Sequence, residues 1–330
     1  MASIDATNDA TRRPFEGRRV HLGDVLLKGV AGAAAAGGVA LVGLIAWKVI
    51  DGARPSIAKY GIAFVWHIAW NPVPGHEIYG AASFLFGTAI TSFFALLLAA
   101  PLAMGIALFL TELAPRGLQA LVTALVEMLA AVPSVVIGLW GILVLGPQLR
   151  IHIEPWLHSA LGFIPLFGPP SAAGASIFTA VIVLAIMILP IVSSISRELF
   201  LGVPHELKEG ALALGTTRWE MIRGVVFPYA RGGIAAALIL GLGRAMGEAI
   251  AVTQVIGGGV FIHWSLFSQG DTLASKIAAE YQGATSNLDV ASLIYLGVIL
   301  LALSLVANIA AQYIVRSVAR KHGVTRGGHA

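Results

Sequence analysis

Arg244 and Glu248 lie four positions apart in the apolar segment GLGRAMGEAIAV at 241–252. Residues at this spacing share one face of a helix, so the two charges are able to neutralise each other. An unpaired arginine at the centre of a membrane helix costs about 2.5–3.5 kcal/mol on insertion scales. A guanidinium also replaces the water around an oxyanion through planar, bidentate hydrogen bonds. The pair is therefore either structural, within the helix or against another subunit, or an anion-binding station on a translocation path. The cost of charge inside a membrane favours the second interpretation.

The composition indicates a membrane protein. Hydrophobic residues make up 57% of the 330 residues and charged residues only 12%, with a mean hydropathy of +0.85. An ordinary globular chain has about a quarter charged residues. So few polar residues exclude a soluble globular domain and predict that lipid surrounds most of the chain. The sequence contains no cysteine, which excludes disulfides and thiolate metal sites.

Six apolar runs are long enough to cross the hydrocarbon core of a bilayer as helices. They lie at about 29–47, 81–110, 118–146, 173–195, 231–256 and 290–315. Most lysines and arginines fall between alternate runs and at the two ends of the chain, which the positive-inside rule assigns to the cytoplasm. The sequence therefore predicts an all-α polytopic membrane protein with six transmembrane helices. Since the basic residues serve as orientation signals, we expect membrane lipid and no nucleic acid as a partner.

This topology divides the chain into a tail, a membrane domain and a second tail. The predicted parts are a cytoplasmic N-terminal tail at 1–28, a six-helix domain at 29–315 and a basic cytoplasmic tail at 316–330. The first twenty residues are polar, and their composition favours disorder. The first apolar run is longer than the core of a signal peptide and has no clean cleavage site after it, so we expect an uncleaved helix.

The longest predicted cytoplasmic segment, 197–233, contains signals for two short helices. Pro204 suits a first helical position, and Gly215 is able to end that helix. Thr217 and Glu220 form the capping-box pattern that starts a second helix.

These two helices are predicted to present an apolar face. Leu207, Ala211 and Leu214 fall at the spacing of one helical stripe. The second helix is expected to run to Pro228. The pattern fits a helix that lies on lipid and a docking surface for another protein equally well.

Two glycine-rich segments come close to nucleotide-binding motifs. GALALGTT at 210–217 has Thr216 where a phosphate-binding loop needs lysine, and no strand precedes it. Gly243 and Gly247 miss the dinucleotide spacing and instead form a GxxxG pattern, which lets another helix approach closely. The sequence shows no Ser-His-Asp, HExxH or zinc-ligand arrangement. We therefore expect the chain to bind no nucleotide or metal and to have no enzymatic activity of its own.

The segment EGALALG, followed by VVFP, resembles the EAA loop of binding-protein-dependent ABC importer permeases. Glu209, Ala211, Gly215 and Pro228 match the pattern, while Gly210 departs from it at the middle alanine. In that family the loop sits in a groove of a cytoplasmic ATPase. The resemblance therefore favours the docking interpretation and implies a type I ABC importer permease fold.

Three further segments resemble the phosphate-importer branch of that family. They are AAVPSVVIGLWG at 130–141, GRAMGEAIAVTQVIG at 243–257 and TLASKIAAEY at 272–281. Ala249 stands where these proteins usually have threonine, and GEAIAV lacks the proline of the sister permease. The resemblance implies a phosphate permease subunit in a bacterial inner membrane. Its implied partners are a sister permease of the PstA type, two cytoplasmic ATPase subunits that bind ATP and Mg, and an external phosphate-binding protein.

For such an importer, Glu248 suggests a basis for selectivity. Phosphate at neutral pH keeps at least one O–H donor, whereas sulfate has none. A carboxylate beside Arg244 accepts that hydrogen bond and repels an anion that lacks a donor. The pair is thus predicted to favour phosphate over sulfate.

Glu127 is a third charge within an apolar run. Pro133, six residues later, is expected to kink or break the third helix. Backbone carbonyls freed there, or Ser134, would line the path. Glu127 would then belong to the pathway, or it would lie near the cytoplasmic end and bond to the EAA-like loop.

Three other functions fit parts of the pattern. A passive anion channel would work without an ATPase partner. An intramembrane enzyme would need catalytic groups at one depth, and only Arg244 and Glu248 meet that condition clearly. A permease for another oxyanion or small solute would share the EAA pattern, but the segments RAMGE and AAVPSVVIGLWG favour phosphate.

Overall fold

The protein was analysed as a computed structural model that describes residues 22–321. The predictions for residues 1–21 and 322–330, including the disordered N-terminal tail and the end of the basic C-terminal tail, lie outside the described residues. The chain divides into two units, one ending at Lys48 and one starting at Val49. The described part of the first unit is helical throughout.

Helices account for nearly all regular structure in the described range, which contains isolated bridges and no strand. The α-helices are α1 Leu22–Tyr60, α2 Ala82–Leu108, α3 Arg116–Ala131, α4 Ser134–Trp140, α5 Gly146–Gln148, α6 Glu154–Leu161, α7 Ile177–Leu201, α8 His205–Ala213, α9 Arg218–Met221, α10 Phe227–Gly247, α11 Ile250–Val255, α12 Leu273–Glu280 and α13 Asn287–Lys321. Short 3-10 helices lie at Gly61–Val65, Pro165–Phe167 and Tyr281–Gly283.

Six helical stretches in the described range are long and apolar enough to cross a membrane. They are Val25–Val65, Ala82–Leu113, Ser134–Leu161, Ile177–Leu201, Arg218–Gly247 and Asn287–Tyr313. The predicted all-α fold with six spanning helices is therefore confirmed.

The predicted boundaries of the third span, 118–146, are wrong. α3 ends at Ala131, the backbone of Val132 and Pro133 is extended, and the spanning stretch begins at Ser134. Proline disfavours helical backbone at the residue before it, so Pro133 separates two helices. The predicted break at Pro133 is confirmed, but the apolar run that contains it forms two elements.

Each π-helical turn in the described range ends two residues before a proline. The pairs are Phe109–Leu113 with Pro115, Gly141–Leu145 with Pro147, Leu149–Ile153 with Pro155, and Ile222–Val226 with Pro228. A proline ring clashes with the carbonyl four residues earlier, and in every pair that carbonyl lies within the π turn. The wider turn moves the carbonyl aside and lets three of the four helices continue.

Helical backbone continues through Pro147 and Pro155 to Leu161. One prediction failed because of this accommodation. The second helix of the EAA-like loop was expected to end at Pro228, yet it continues into α10. α9, the π turn and α10 together form one helical stretch, Arg218–Gly247.

α7 is the central helix of the second unit. It packs against α2 and α10, and its buried apolar side chains from Ile177 to Ile188 belong to the largest core cluster, which also includes residues of α11. A Cβ atom built on Gly241 would lie 2.9 Å from Val192 Cγ2 of α7. The same construction on Gly233 collides with the Leu199 side chain. Glycines two helical turns apart therefore allow α10 to approach α7 closely.

Candidate functional site

The helix that carries Arg244 is interrupted directly after it. α10 ends at Gly247, Glu248 has extended backbone with φ −73° and ψ 117°, and α11 starts at Ile250. The expectation that Arg244 lies at the midpoint of a continuous helix at 231–256 is therefore wrong. Glycine weakens a helix through its backbone entropy, and a nearby side-chain acceptor competes with the helical hydrogen bonds. Here Ala251 N donates to Glu248 Oε1 at 3.4 Å.

The break explains how the chain accommodates two charges. Arg244 Nη2 lies 3.5 Å from Glu248 Oε2, so the side chains form the ion pair that their spacing predicts. Arg244 lies in the last turn of α10, where the helix dipole favours a cation, and Glu248 precedes α11, where it favours an anion. The Glu248 side chain is 7% exposed, whereas that of Arg244 is 49% exposed. The buried carboxylate thus holds a guanidinium that is itself half-exposed.

α11 packs on α4 through close backbone contacts. A Cβ atom built on Gly138 would lie 2.8 Å from Ala251 Cα, and one built on Gly141 would lie 2.8 Å from Val255 Cγ1. Residue numbers rise together along the two helices, so the packing is parallel. This register places Ser134, one turn before Gly138, level with the break before α11. Two segments that carry the family resemblance are therefore in direct contact.

Glu127 lies apart from this group. Its side chain is exposed on α3 and lines two cavities, of about 360 and 80 Å³, together with Arg197 of α7. No hydrogen bond or ion pair in the described residues joins Glu127 to 204–228. The proposed bond from Glu127 to the EAA-like loop therefore has no support in this structure.

Gly243 and Gly247 face away from the rest of the described chain. A Cβ atom built on either glycine meets no heavy atom within 4 Å. Close helix packing within the chain therefore uses Gly233 and Gly241, and the GxxxG pattern stays a prediction of contact with another chain.

The EAA-like loop folds largely as its sequence predicts. α8 spans His205–Ala213, and Gly215 has φ +84°, a left-handed conformation that favours glycine. Glu220 N donates to Thr217 Oγ1 at 3.3 Å, and Thr217 N donates to Glu220 Oε2 at 2.8 Å. The predicted capping box at the start of the second helix is confirmed.

Large apolar side chains on this loop are exposed. Leu207, Leu214 and Trp219 are 47%, 86% and 62% exposed, and Ala211 is half-buried. We call Leu207, Leu214 and Trp219 the docking face. Glu209 is also exposed. Exposed leucine and tryptophan side chains clustered on one short loop are typical of a surface that another chain covers.

An ion pair that the sequence analysis missed anchors α8. Lys208 Nζ lies 2.5 Å from Glu112 Oε1 in the turn that ends the second span, and it donates to the Phe200 carbonyl at 3.3 Å. The only hint in the sequence was an acidic residue, Glu112, at the end of an apolar run. Its partner was hidden because the two residues are 96 positions apart.

The segment around α12 holds a buried carboxyl group outside the spanning helices. Burial raises the pKa of Asp271 to about 6, although a hydrogen bond from Ser275, the charge of Lys276 and a hydrogen bond from Thr272 N oppose this shift. Leu273 N donates to Thr88 Oγ1 of α2 at 2.9 Å. This contact fixes the third resemblance segment against the second span.

Comparisons with known proteins agree with this geometry. Residues 99–320 match the family model described as "Binding-protein-dependent transport system inner membrane component". A phosphate transport system permease protein PstC from Mesorhizobium japonicum is 39% identical over 328 residues, which cover 98% of each chain. A PstC from Pasteurella multocida is 40% identical over 86% of this chain and 88% of its own length. A PstC 2 from Mycobacterium tuberculosis is 47% identical over 72% of this chain and 74% of its own length.

Solved structures share the fold at low sequence identity. A chain of a bacterial alginate ABC transporter, in complex with a periplasmic protein that holds an alginate pentasaccharide, aligns with a TM-score of 0.61 and 15% identity. That alignment covers 91% of this chain and 98% of the other. A chain of the inward-facing MetNI methionine ABC transporter aligns with a TM-score of 0.50 and 21% identity, over 72% of this chain and 94% of the other. The fold is that of type I ABC importer permeases, and the chain belongs to the family of binding-protein-dependent transport system inner membrane components.

Proposed function

We propose that the chain is the membrane-spanning permease subunit of an ATP-driven phosphate importer and forms half of its translocation pathway. The observation that carries this proposal is the half-exposed guanidinium of Arg244, held by the buried Glu248 carboxylate where α10 gives way to α11. The PstC names of relatives about 40% identical support phosphate as the substrate.

In this proposal Arg244 and Glu248 form the anion station. The exposed donors of the guanidinium replace part of the water around a phosphate ion. Glu248 accepts the phosphate O–H, a hydrogen bond that sulfate is unable to offer. Ser134 adds a hydroxyl at the same level through the α4–α11 packing, and the carbonyls at the end of α10 are open to the pathway.

Coupling to ATP hydrolysis runs through the EAA-like loop. A cytoplasmic ATPase subunit covers the docking face and moves α8 and α9. Because Arg218–Gly247 is one helical stretch of 30 residues, about 45 Å at 1.5 Å per residue, that movement reaches Arg244 directly. Glu209, Ala211, Gly215 and Pro228 shape this loop, and the chain itself supplies no nucleotide site.

The proposal includes a set of partners. A sister permease of the PstA type packs on the open Gly243–Gly247 face, two ATPase subunits bind ATP and Mg, and a phosphate-binding protein delivers the anion from outside. The chain lies in a bacterial inner membrane with both termini in the cytoplasm, as the distribution of basic residues favours.

Uptake of labelled phosphate by cells that lack this chain tests the proposal. We expect the parent chain to restore uptake that excess sulfate does not inhibit, and Arg244→Gln to abolish it while inserting normally. Arg231→Gln on the same helix is the matched control and should transport. Failure of the parent to restore phosphate uptake would refute the substrate. Normal transport by Arg244→Gln would give Arg244 a structural role only.

Two further strains separate the proposal from its rivals. Uptake that continues after deletion of the ATPase subunits would indicate a passive channel. Unchanged transport and unchanged exclusion of sulfate by Glu248→Gln would refute the selectivity assigned to the carboxylate. If the parent chain restored uptake of another solute and not of phosphate, the chain would be a permease of different specificity.

A further inference from the structure

A polar stripe of α3 faces a polar stripe of α7 across open space. Arg116, Gln119, Thr123 and Glu127 recur at three- and four-residue steps on α3, so they share one face of the helix. They line a cavity of about 360 Å³ with Arg197, and Thr123, Glu127 and Arg197 also line a neighbouring cavity of about 80 Å³ with Ser193 and Ser194. We call this region the α3–α7 cavity.

Two polar atoms of the cavity walls lack partners. Thr123 Oγ1 and Arg197 Nε are buried and have no hydrogen-bond partner among the described residues. A buried polar group without a partner is costly, and a native structure that keeps one has a reason for it. Both side chains line both parts of the α3–α7 cavity. An occupant with acceptor oxygens would give both donors a partner once the two side chains turn toward the cavity.

The charges of the larger part of the cavity favour an anion, because Arg116 and Arg197 outnumber Glu127 there. Glu198 adds a second carboxylate to the smaller part. Arg197 Nη1 pairs with Glu198 at 3.0 Å, but the Glu198 side chain is 70% exposed. A pair this exposed is weak, so it does not compete strongly with an anion for Arg197. The described residues show no ion pair between Arg197 and Glu127, although both line the same cavity.

We propose that the α3–α7 cavity is a second oxyanion site, through which phosphate passes after Arg244 on its way to the cytoplasm. This inference rests on the proposed function and extends it to a second station. Arg197 Nε–H and the Thr123 hydroxyl donate to phosphate oxygens, and Glu127 accepts the phosphate O–H. A guanidinium and a carboxylate thus act together here as they do at Arg244 and Glu248.

The location fits a site of release. Arg197 lies in the last two turns of α7, directly before the EAA-like loop, and Arg116 begins α3. The end of α7 and the start of α3 are both on the side that the basic residues assign to the cytoplasm. Along α7, several helical turns separate this cavity from the core residues that pack against α11. The two stations are therefore separate in the fold.

Protection of a single cysteine tests the site. The natural sequence has no cysteine, so Ala120→Cys in the cavity wall provides a unique thiol on this chain. The complete importer, held in lipid nanodiscs, would be treated with N-ethylmaleimide, and labelling of this chain alone would be followed on a gel. At free phosphate about ten times the dissociation constant, one-site occupancy slows labelling about tenfold. Gly117→Cys is the control, because it lies on the same helix but does not line the cavity, and its labelling should not respond.

Variants decide which side chains hold the anion. Arg197→Gln should abolish protection by phosphate, and Arg197→Lys should weaken it, because lysine keeps the charge without the fork of donors. Protection should persist in Arg244→Gln, since phosphate reaches the cavity from the cytoplasmic side. Sulfate should protect the thiol poorly. Glu127→Gln should reduce the difference between protection by phosphate and protection by sulfate.

The outcomes separate this proposal from the proposed function. An importer that transports phosphate but shows no protection at Ala120→Cys would overturn the second site alone. Equal protection by phosphate and sulfate would overturn the role of Glu127, and protection that survives Arg197→Gln would overturn the role of Arg197. Failure of phosphate uptake by the parent chain would instead refute the phosphate importer itself.

Discussion

Lys208 of α8 and Glu112 in the turn after α2 form a nearly buried ion pair, and each side chain is only 11% exposed. Lys208 also donates to the Phe200 carbonyl in the last turn of α7. The pair therefore joins the EAA-like loop to two spanning helices. We therefore expect movement of the loop to reach the membrane domain through this pair.

Breaking this pair is expected to uncouple ATP hydrolysis from phosphate transport in the importer. Lys208→Met leaves Glu112 buried and unpaired, which costs about 3–5 kcal/mol when a buried pair loses one partner. We expect the assembled complex to hydrolyse ATP but to take up much less phosphate for each ATP. The measurement is the ratio of phosphate imported to ATP hydrolysed in proteoliposomes.

The reciprocal exchange supplies the control for Lys208. Lys208→Glu combined with Glu112→Lys keeps opposite charges in contact and should recover part of the coupling ratio. A coupling ratio in Lys208→Met equal to that of the parent would show that the pair does not transmit movement.

The contact of α4 with α11 is expected to tolerate no side chain at Gly138. A methyl group there would lie 2.8 Å from Ala251 Cα, and overpacking of this kind costs about 1–3 kcal/mol. Because α11 starts beside Glu248, Gly138→Ala should lower phosphate uptake as well as thermal stability. Gly105→Ala on α2 is the matched control, since a Cβ atom there meets nothing within 4 Å. Equal melting temperatures for the two variants would contradict the observed packing.

The docking face is expected to determine ATPase binding. Leu214 is 86% exposed in this chain, so Leu214→Asp should leave the fold intact. It should weaken ATPase binding by tenfold or more, which corresponds to about 1.4 kcal/mol. Co-purification of the ATPase subunits, followed by a binding titration, measures the effect. Phe163→Ser alters an equally exposed residue near the opposite end of α7 and should leave binding unchanged. Undiminished binding to Leu214→Asp would place the ATPase elsewhere.

Asp271 is expected to make stability depend on pH. Its pKa is raised from 3.8 to about 6 by burial, so the folded chain binds this proton more tightly than the unfolded chain. The stabilisation by the proton is complete below about pH 4 and is lost as the pH rises to 6. This difference in pKa between the folded and unfolded chain corresponds to about 3 kcal/mol of stability. The melting temperature of the purified complex should fall as the pH rises from 4 to 7.

A neutral side chain at position 271 supplies the comparison. Asp271→Asn keeps an acceptor for the hydrogen bonds from Thr272 N and Ser275, so it should unfold at nearly the same temperature from pH 4 to pH 7. A decline in the variant as steep as in the parent would assign the pH dependence to other groups.

Sequence reasoning predicted local contacts better than the helix boundaries. The ion pair of Arg244 and Glu248, the turn at Gly215 and the capping box at Thr217 all depend on residues close in the chain, and the structure confirms these geometries. The path of the helix through Pro228 was mispredicted, because a π turn removes the clash that usually ends a helix.

The sequence by itself determined the class of the protein and the elements that depend on local interactions. Apolar length decides which segments cross a membrane, basic residues favour an orientation, and caps and glycines set the ends of short helices. The tertiary structure alone decided which distant residues meet. It pairs Lys208 with Glu112, sets Gly138 against Ala251, and brings Glu127 and Arg197 to one cavity. Such contacts depend on how whole helices pack, and no local pattern in the chain records that geometry.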